Sequence, residues 1–173
     1  GLLRVRSDVV KGILNGCDLE TWNPKTDKLI PYNFDYKSMA NKAKCKAELQ
    51  KRMGLPVRPD VPLIGIVTRL ADQKGVAEIF APNYGSIFNM CENMDLQFAI
   101  LGSGERWCED EINSLQSKLP NLRAYVGYDE SLSHLIEAGS DFFLMPSKYE
   151  PCGLNQMYSM LYGTLPIVRR TGG

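Results

Sequence analysis

From residue 63 onward, short apolar runs alternate with amphipathic stretches. Leu63-Ile64-Gly65-Ile66-Val67 contains no polar side chain. That is the pattern of a strand covered on both faces of a sheet. Similar runs predict strands over 96–101, 121–126, 141–145 and 165–168. Between them, helical periodicity predicts helices over 76–93, with Pro82 and Gly85 as kinks, and over 105–119, 132–138 and 154–162. Strands that alternate with helices require right-handed crossovers and a parallel sheet. The expected fold is α/β, a Rossmann-like parallel sheet with helices on both faces.

Upstream the pattern is weaker. Residues 1–35 read as irregular, with one apolar run at Gly12-Ile13-Leu14 and a turn at Asn15-Gly16-Cys17-Asp18. Residues 36–53 are rich in helix formers, and Gly54 and Pro56 stop them. Three prolines punctuate 56–62 as a connector. The chain therefore divides into 1–62, a lead-in segment with linker and helix, and 63–173, the Rossmann-like domain. It starts without Met and stops at Gly172-Gly173 inside a turn-like segment, so both ends read as cuts in a longer protein.

Composition narrows the partners. Twenty basic residues balance 20 acidic ones, which gives no electrostatic footprint for nucleic acid or an anionic membrane. Hydrophobic residues make up 44% of the 173, as expected of a globular domain. No apolar run is long enough to span a bilayer, and no signal peptide is visible. The five cysteines, Cys17, Cys45, Cys91, Cys108 and Cys152, form no C-x-x-C pair. That spacing argues against a zinc site or a disulfide framework and for free thiols in a reducing compartment.

In open parallel sheets, ligands bind beyond the carboxyl ends of the strands. Arg69 and Lys74 follow the first strand. They could converge on a diphosphate, or be solvated surface charges. Gly102-x-Gly104 follows the second strand, but Trp107 stands where a dinucleotide fingerprint needs its third glycine, so an NAD reading is weak. Tyr128 follows the third strand, where it could stack on a base or be an ordinary loop aromatic.

Glu150-Pro151-Cys152-Gly153-Leu154 follows the fourth strand and opens a helix. Backbone N–H groups at the helix start, near Gly153 or Leu154, would form a phosphate site, and Glu150 would face the attached sugar. There it could stabilise positive charge at an anomeric carbon, or be a plain helix-start acid. Cys152 as a nucleophile would need His134, the chain's one histidine, beside it. Thr171-Gly172-Gly173 could form a nest of N–H groups or an ordinary turn.

Taken in order, these strings resemble the bacterial glycogen synthase and plant starch synthase family. The matching stretches are Gly12 to Asp18 with Trp22-Asn23-Pro24, Thr68 to Gly75, Leu101 to Glu105, Pro146 to Gln156, and Tyr162 to Pro166 through Arg170 to Gly173. The resemblance implies one half of a two-domain GT-B glycosyltransferase, the nucleotide-sugar-binding half. It implies transfer of glucose from ADP-glucose, or UDP-glucose in some members, to the non-reducing end of an α-1,4-glucan. Configuration would be retained, and no metal or other cofactor is expected.

Carried over by motif, Arg69 and Lys74 would bind the donor diphosphate, with Gly153, Leu154 and Asn155. Tyr128 would meet the base. Glu150 would be the catalytic carboxylate, and Asn15, Cys152 and Gly153 would meet the donor glucose. Many bacterial members carry Thr where this chain has Asn155, as some plant starch synthases do. The family's N-terminal Lys-x-Gly-Gly loop and catalytic His lie outside these residues. The partners expected are a nucleotide sugar, the glucan and the N-terminal domain. The compartment would be the cytoplasm of a bacterium or the stroma of a plastid. Two alternatives stand beside this: another retaining transferase of the same architecture with a different sugar nucleotide, and a non-catalytic nucleotide- or glucan-binding module.

Overall fold

The computed structural model describes residues 2–83 and 85–171. Its elements run in chain order as α1 Leu2–Val5, α2 Ala40–Met53, β1 Leu63–Leu70, a 3-10 turn at Asp72–Lys74, α3 Val76–Phe80 and α4 Ser86–Asn93. There follow β2 Gln97–Gly104, α5 Arg106–Lys118, β3 Leu122–Val126, α6 Glu130–Gly139, β4 Phe142–Met145, α7 Leu154–Leu161 and β5 Leu165–Val168. The five strands form one sheet in the order β3-β2-β1-β4-β5, and every pairing is parallel.

Side chains alternate across the sheet, so β1, β2 and β4 each feed two cores. Ile64 and Ile66 of β1 and Phe98 and Ile100 of β2 pack with Ile79, Phe80, Ile87 and Ile112 on one face. Leu63, Ala99, Leu101 and Phe143 pack on the other with Cys45 and Leu49 of α2 and Leu135 and Ile136 of α6. Ile30, Phe34 and Tyr162 join this second core. Part of the lead-in segment is thus built into the sheet's covering layer.

Two glycines set how closely the layers approach. A Cβ on Gly65 would lie 2.5 Å from Ser140 Oγ and 2.6 Å from Ile136 Cγ2, so glycine lets α6 rest against β1. A Cβ on Gly139 would lie 2.9 Å from the Cys45 carbonyl, where α2 crosses α6. Asp129 caps α6 by accepting from Leu132 N at 2.8 Å, and Arg52 of α2 donates to its other oxygen at 2.6 Å.

Four expectations need adjustment. The helix expected over 76–93 is two helices, because Pro82 and Gly85 break it instead of kinking it. The helix expected from 36 begins at Ala40: Asp35 Oδ1 takes the N–H groups of Lys37 and Ser38 and holds a turn there. Residues 1–35 are not wholly irregular, since Leu2–Val5 form one helical turn. The apolar Ile13 and Leu14 are 91% and 69% exposed and join neither core. Finally, β1 continues to Leu70 and β2, expected to end at 101, to Gly104, because Thr68, Arg69 and Leu70 pair with Gly102, Ser103 and Gly104.

Candidate functional site

β1 lies between β2 and β4, so the strand order reverses at its carboxyl end. Ligands of open α/β sheets gather at such a point. A cleft of about 360 Å³ opens there, between the loops that follow β1 and β4. Arg69, Lys74, Glu150, Cys152, Gly153, Leu154, Asn155 and Asn15 all line it. Every residue expected to meet a diphosphate or a hexose is therefore in one place.

The two loops are stitched to each other. Beyond β1 the chain makes its 3-10 turn, closed by Gly75 N–H donating to Asp72 O at 3.0 Å. Gly75 has φ +71°, and a Cβ there would press into the Pro146 carbonyl. Only glycine satisfies both conditions. Lys148 N–H donates to Gln73 O at 2.9 Å, and Gln73 Nε2 donates to Tyr149 O at 3.1 Å. Lys148 Nζ pairs with Asp72 at 2.5 Å and Glu78 at 3.3 Å.

This stitching brings Lys74 Nζ to 2.5 Å from Glu150 Oε1. Ser147 Oγ donates to the same oxygen at 2.7 Å. Burial by itself would raise the Glu150 carboxyl's pKa. Hydrogen bonds from Lys74 and Ser147, and the charges of Lys74 and Arg69, outweigh that and hold it below the ordinary value. The sequence separates Lys74 and Glu150 into two roles, diphosphate and hexose. The structure pairs them directly. Arg69 is exposed, standing at the end of β1 over the cleft.

Gly153 precedes α7 with φ +77°, a left-handed conformation that suits glycine, and the helix starts at Leu154. The Asn155 side chain is already engaged, since its Nδ2 donates to Val67 O at 3.1 Å and ties α7 to β1. Asn15 belongs to the lead-in segment, and its carbonyl lies 3.9 Å from Cys152 Sγ.

Tyr128 stands at a second hollow of about 350 Å³, which shares Val67, Thr68, Arg69 and Asn155 with the first. Its ring is 83% exposed. Gly102 lines this hollow too, but a Cβ there would press on the Thr68 carbonyl, so its bareness serves the β1–β2 pairing.

His134 is committed elsewhere. It is 1% exposed, its Nδ1 donates to Asp27 Oδ2 at 2.8 Å, and its ring stacks on Trp22 at 3.8 Å. All five cysteines are thiols, and burial pushes Cys91 and Cys108 up to about 12. Among the described residues no three His, Cys, Asp or Glu side chains cluster as a metal-ligand set, and no helix is long and apolar enough to cross a membrane. Gly172 and Gly173 of the expected nest lie outside the described residues.

Ser147, Gln73 and the Lys148–Asp72 pair were not singled out from sequence. Ser147 carried a faint signal, three residues before Glu150 in the same loop. The Lys148 contacts carried none, because single surface charges have no pattern.

No family model matches the chain. A glycogen synthase of Treponema denticola is 60% identical over 173 residues, covering 100% of this chain and 35% of that protein. Soluble starch synthase 1, chloroplastic/amyloplastic, of Oryza sativa subsp. japonica is 49% identical over 99% of this chain and 26% of its own length. Among solved structures, the catalytic domain of starch synthase IV from Arabidopsis thaliana, bound to ADP and acarbose, superposes with a TM-score of 0.90. It is 40% identical over 99% of this chain and 35% of that one. Anabaena HepE, at 17% identity and a TM-score of 0.64, shares the fold. The chain is a homologue of glycogen and starch synthases over its whole length, and it spans between 26% and 35% of the length of these relatives.

Proposed function

We propose that this chain is the donor-binding part of a retaining glucosyltransferase that moves glucose from ADP-glucose to the non-reducing end of an α-1,4-glucan. One observation carries the reading: Arg69, Lys74, Glu150 and the start of α7 line a single cleft where the strand order reverses. The names of the relatives support it, and so does the ADP and acarbose held by the Arabidopsis protein.

Breaking the bond between C1 of the glucose and the diphosphate separates charge. Negative charge builds on the leaving diphosphate, and positive charge builds on the anomeric carbon. Arg69, Lys74 and the first N–H groups of α7 offset the former. At an effective dielectric near 20, one unit charge 4 Å away contributes about 4 kcal/mol. Two cations and a helix terminus together do what a divalent cation would do, so this reading needs no metal. Glu150, held ionised, stabilises the sugar's positive charge. Tyr128 offers a ring for the base at the adjoining hollow. Attack from the face the diphosphate leaves gives retention.

The remaining length of the relatives would supply the acceptor side. This chain then binds nucleotide without elongating glucan. Its compartment would be bacterial cytoplasm or plastid stroma, according to source.

Calorimetric titration with ADP, UDP, ADP-glucose and UDP-glucose, alongside a glucan-elongation assay, tests the reading. Binding of the ADP species without elongation is expected. Binding of UDP species alone would move the chain to another retaining transferase, and no nucleotide binding at all would end the reading.

A further inference from the structure

Two groups hold Glu150 Oε1, one at the end of a long side chain and one close to the backbone. Lys74 Nζ reaches it from the β1 loop at 2.5 Å, and in the donor-site reading the same ammonium serves the diphosphate. Ser147 Oγ reaches it at 2.7 Å from the same loop as Glu150, three residues earlier. The two tethers differ in kind. Lysine places its charge at the end of a flexible four-carbon stem. A serine hydroxyl sits one carbon from the backbone, so the loop itself sets its position.

That loop is fixed. Ser147 is 3% exposed, and the Pro146 carbonyl before it packs against Gly75. Lys148, after it, is bonded to Gln73 through its N–H at 2.9 Å. Among the described residues the Ser147 hydroxyl donates to Glu150 and to no other group. A phosphate attracts the Lys74 ammonium by charge, and it attracts a neutral hydroxyl far less.

The geometry assigns Ser147 as the positioning residue for Glu150: its O–H holds Oε1 in place when Lys74 turns to the donor diphosphate. The inference rests on the donor-site reading above and adds a second, ligand-independent tether to it. A hydrogen bond to the ionised carboxyl also favours the ionised form, so the same contact keeps Glu150 charged.

The test follows Glu150 itself. Carbon-13 NMR of the chain labelled at the glutamate side-chain carboxyl, with Glu150→Gln to assign the signal, gives the Glu150 titration midpoint. Lys74→Met stands in for departure of the ammonium without any ligand. In that background Ser147→Ala should raise the midpoint by about one further pH unit, the size of one hydrogen bond to a charged group. Ser147→Thr, which keeps the hydroxyl, should restore it. Circular dichroism checks that each variant is folded. If the double variant does not fold, Ser147→Ala alone, titrated with and without ADP, gives the same comparison, with the larger upward shift expected in ADP.

A midpoint that ignores Ser147→Ala overturns the inference, and so does one that Ser147→Thr fails to restore. Absence of ADP binding by the native chain is a separate result, which overturns the donor-site reading and leaves the Lys74→Met comparison to judge the tether.

Discussion

Replacing Asp27 by alanine should cost the fold roughly 2–6 kcal/mol, because it strips two buried donors of their acceptor. Asp27 lies in the lead-in segment and is 5% exposed. Its Oδ2 accepts from His134 Nδ1 at 2.8 Å and from Tyr162 O–H at 2.5 Å, and its Oδ1 accepts from Leu29 N–H at 2.8 Å. His134 and Tyr162 are 1% and 0% exposed, so donors freed there meet no water. Each unsatisfied buried donor costs about 1–3 kcal/mol, which gives roughly 2–6 for the two. His134 Nε2 already has no partner, so the ring would lose its remaining hydrogen bond.

Urea unfolding followed by circular dichroism measures the change. The midpoint should fall with an unaltered slope, and Asp27→Asn should fall between, since an amide keeps one acceptor. The effect should also depend on pH. Burial by itself would raise the Asp27 pKa, but hydrogen bonds from His134, Tyr162 and Leu29 N–H and the charge of His134 outweigh it and hold the pKa below the ordinary value. A depressed folded pKa adds stability above the unfolded value, near 3.9, that is lost as pH falls through the folded one. Native and Asp27→Ala chains should therefore draw closer in acid. A loss under about 1 kcal/mol, or a gap that does not narrow with acid, would refute this account of the network.

Three further outcomes are expected. Tyr128→Ala should weaken ADP binding in calorimetry by about 1–3 kcal/mol, the worth of one base stacked on an aromatic ring, while thermal stability stays unchanged because the ring is 83% exposed. Gly75→Ala should lower the unfolding midpoint and weaken ADP binding together, because φ +71° and the approach of Pro146 both exclude a Cβ at the turn that presents Lys74. Brief maleimide labelling of the native chain at pH 7, read by mass spectrometry, should modify Cys17 and Cys152 and spare Cys45, Cys91 and Cys108, which are buried and have raised pKa values.

The core of the fold was legible because its strands are nearly continuous apolar runs. The start of β1 at Leu63 and both ends of β5 at Leu165 and Val168 fall where expected. Reading β1 as ending at Val67 failed for a physical reason: Thr68 and Arg69 are polar, yet backbone pairing with Gly102 and Ser103 carries the strand on to Leu70, which is buried in the core. Arg69 is thus a strand residue, held more firmly than a loop would hold it.

The cleft was legible because strand-end loops carry glycine, cations and the Glu150 segment in an order that topology folds together. What sequence could not reveal were contacts between distant, unpatterned polar residues. Asp27 meets His134 across 107 positions and Tyr162 across 135. No periodicity marks such a pair. The direct pairing of Lys74 with Glu150 was hidden likewise, because it depends on how two loops are sewn together by Gln73, Lys148 and the bare Gly75.

The central claim is that basic side chains at this sheet edge hold a pyrophosphate. Titrating ADP into the native chain and into Arg69→Ala and Lys74→Ala tests it most directly. Each substitution should weaken binding by about 10- to 150-fold, the equivalent of one or two hydrogen bonds to a charged group. ADP affinity that survives both substitutions unchanged would contradict the claim.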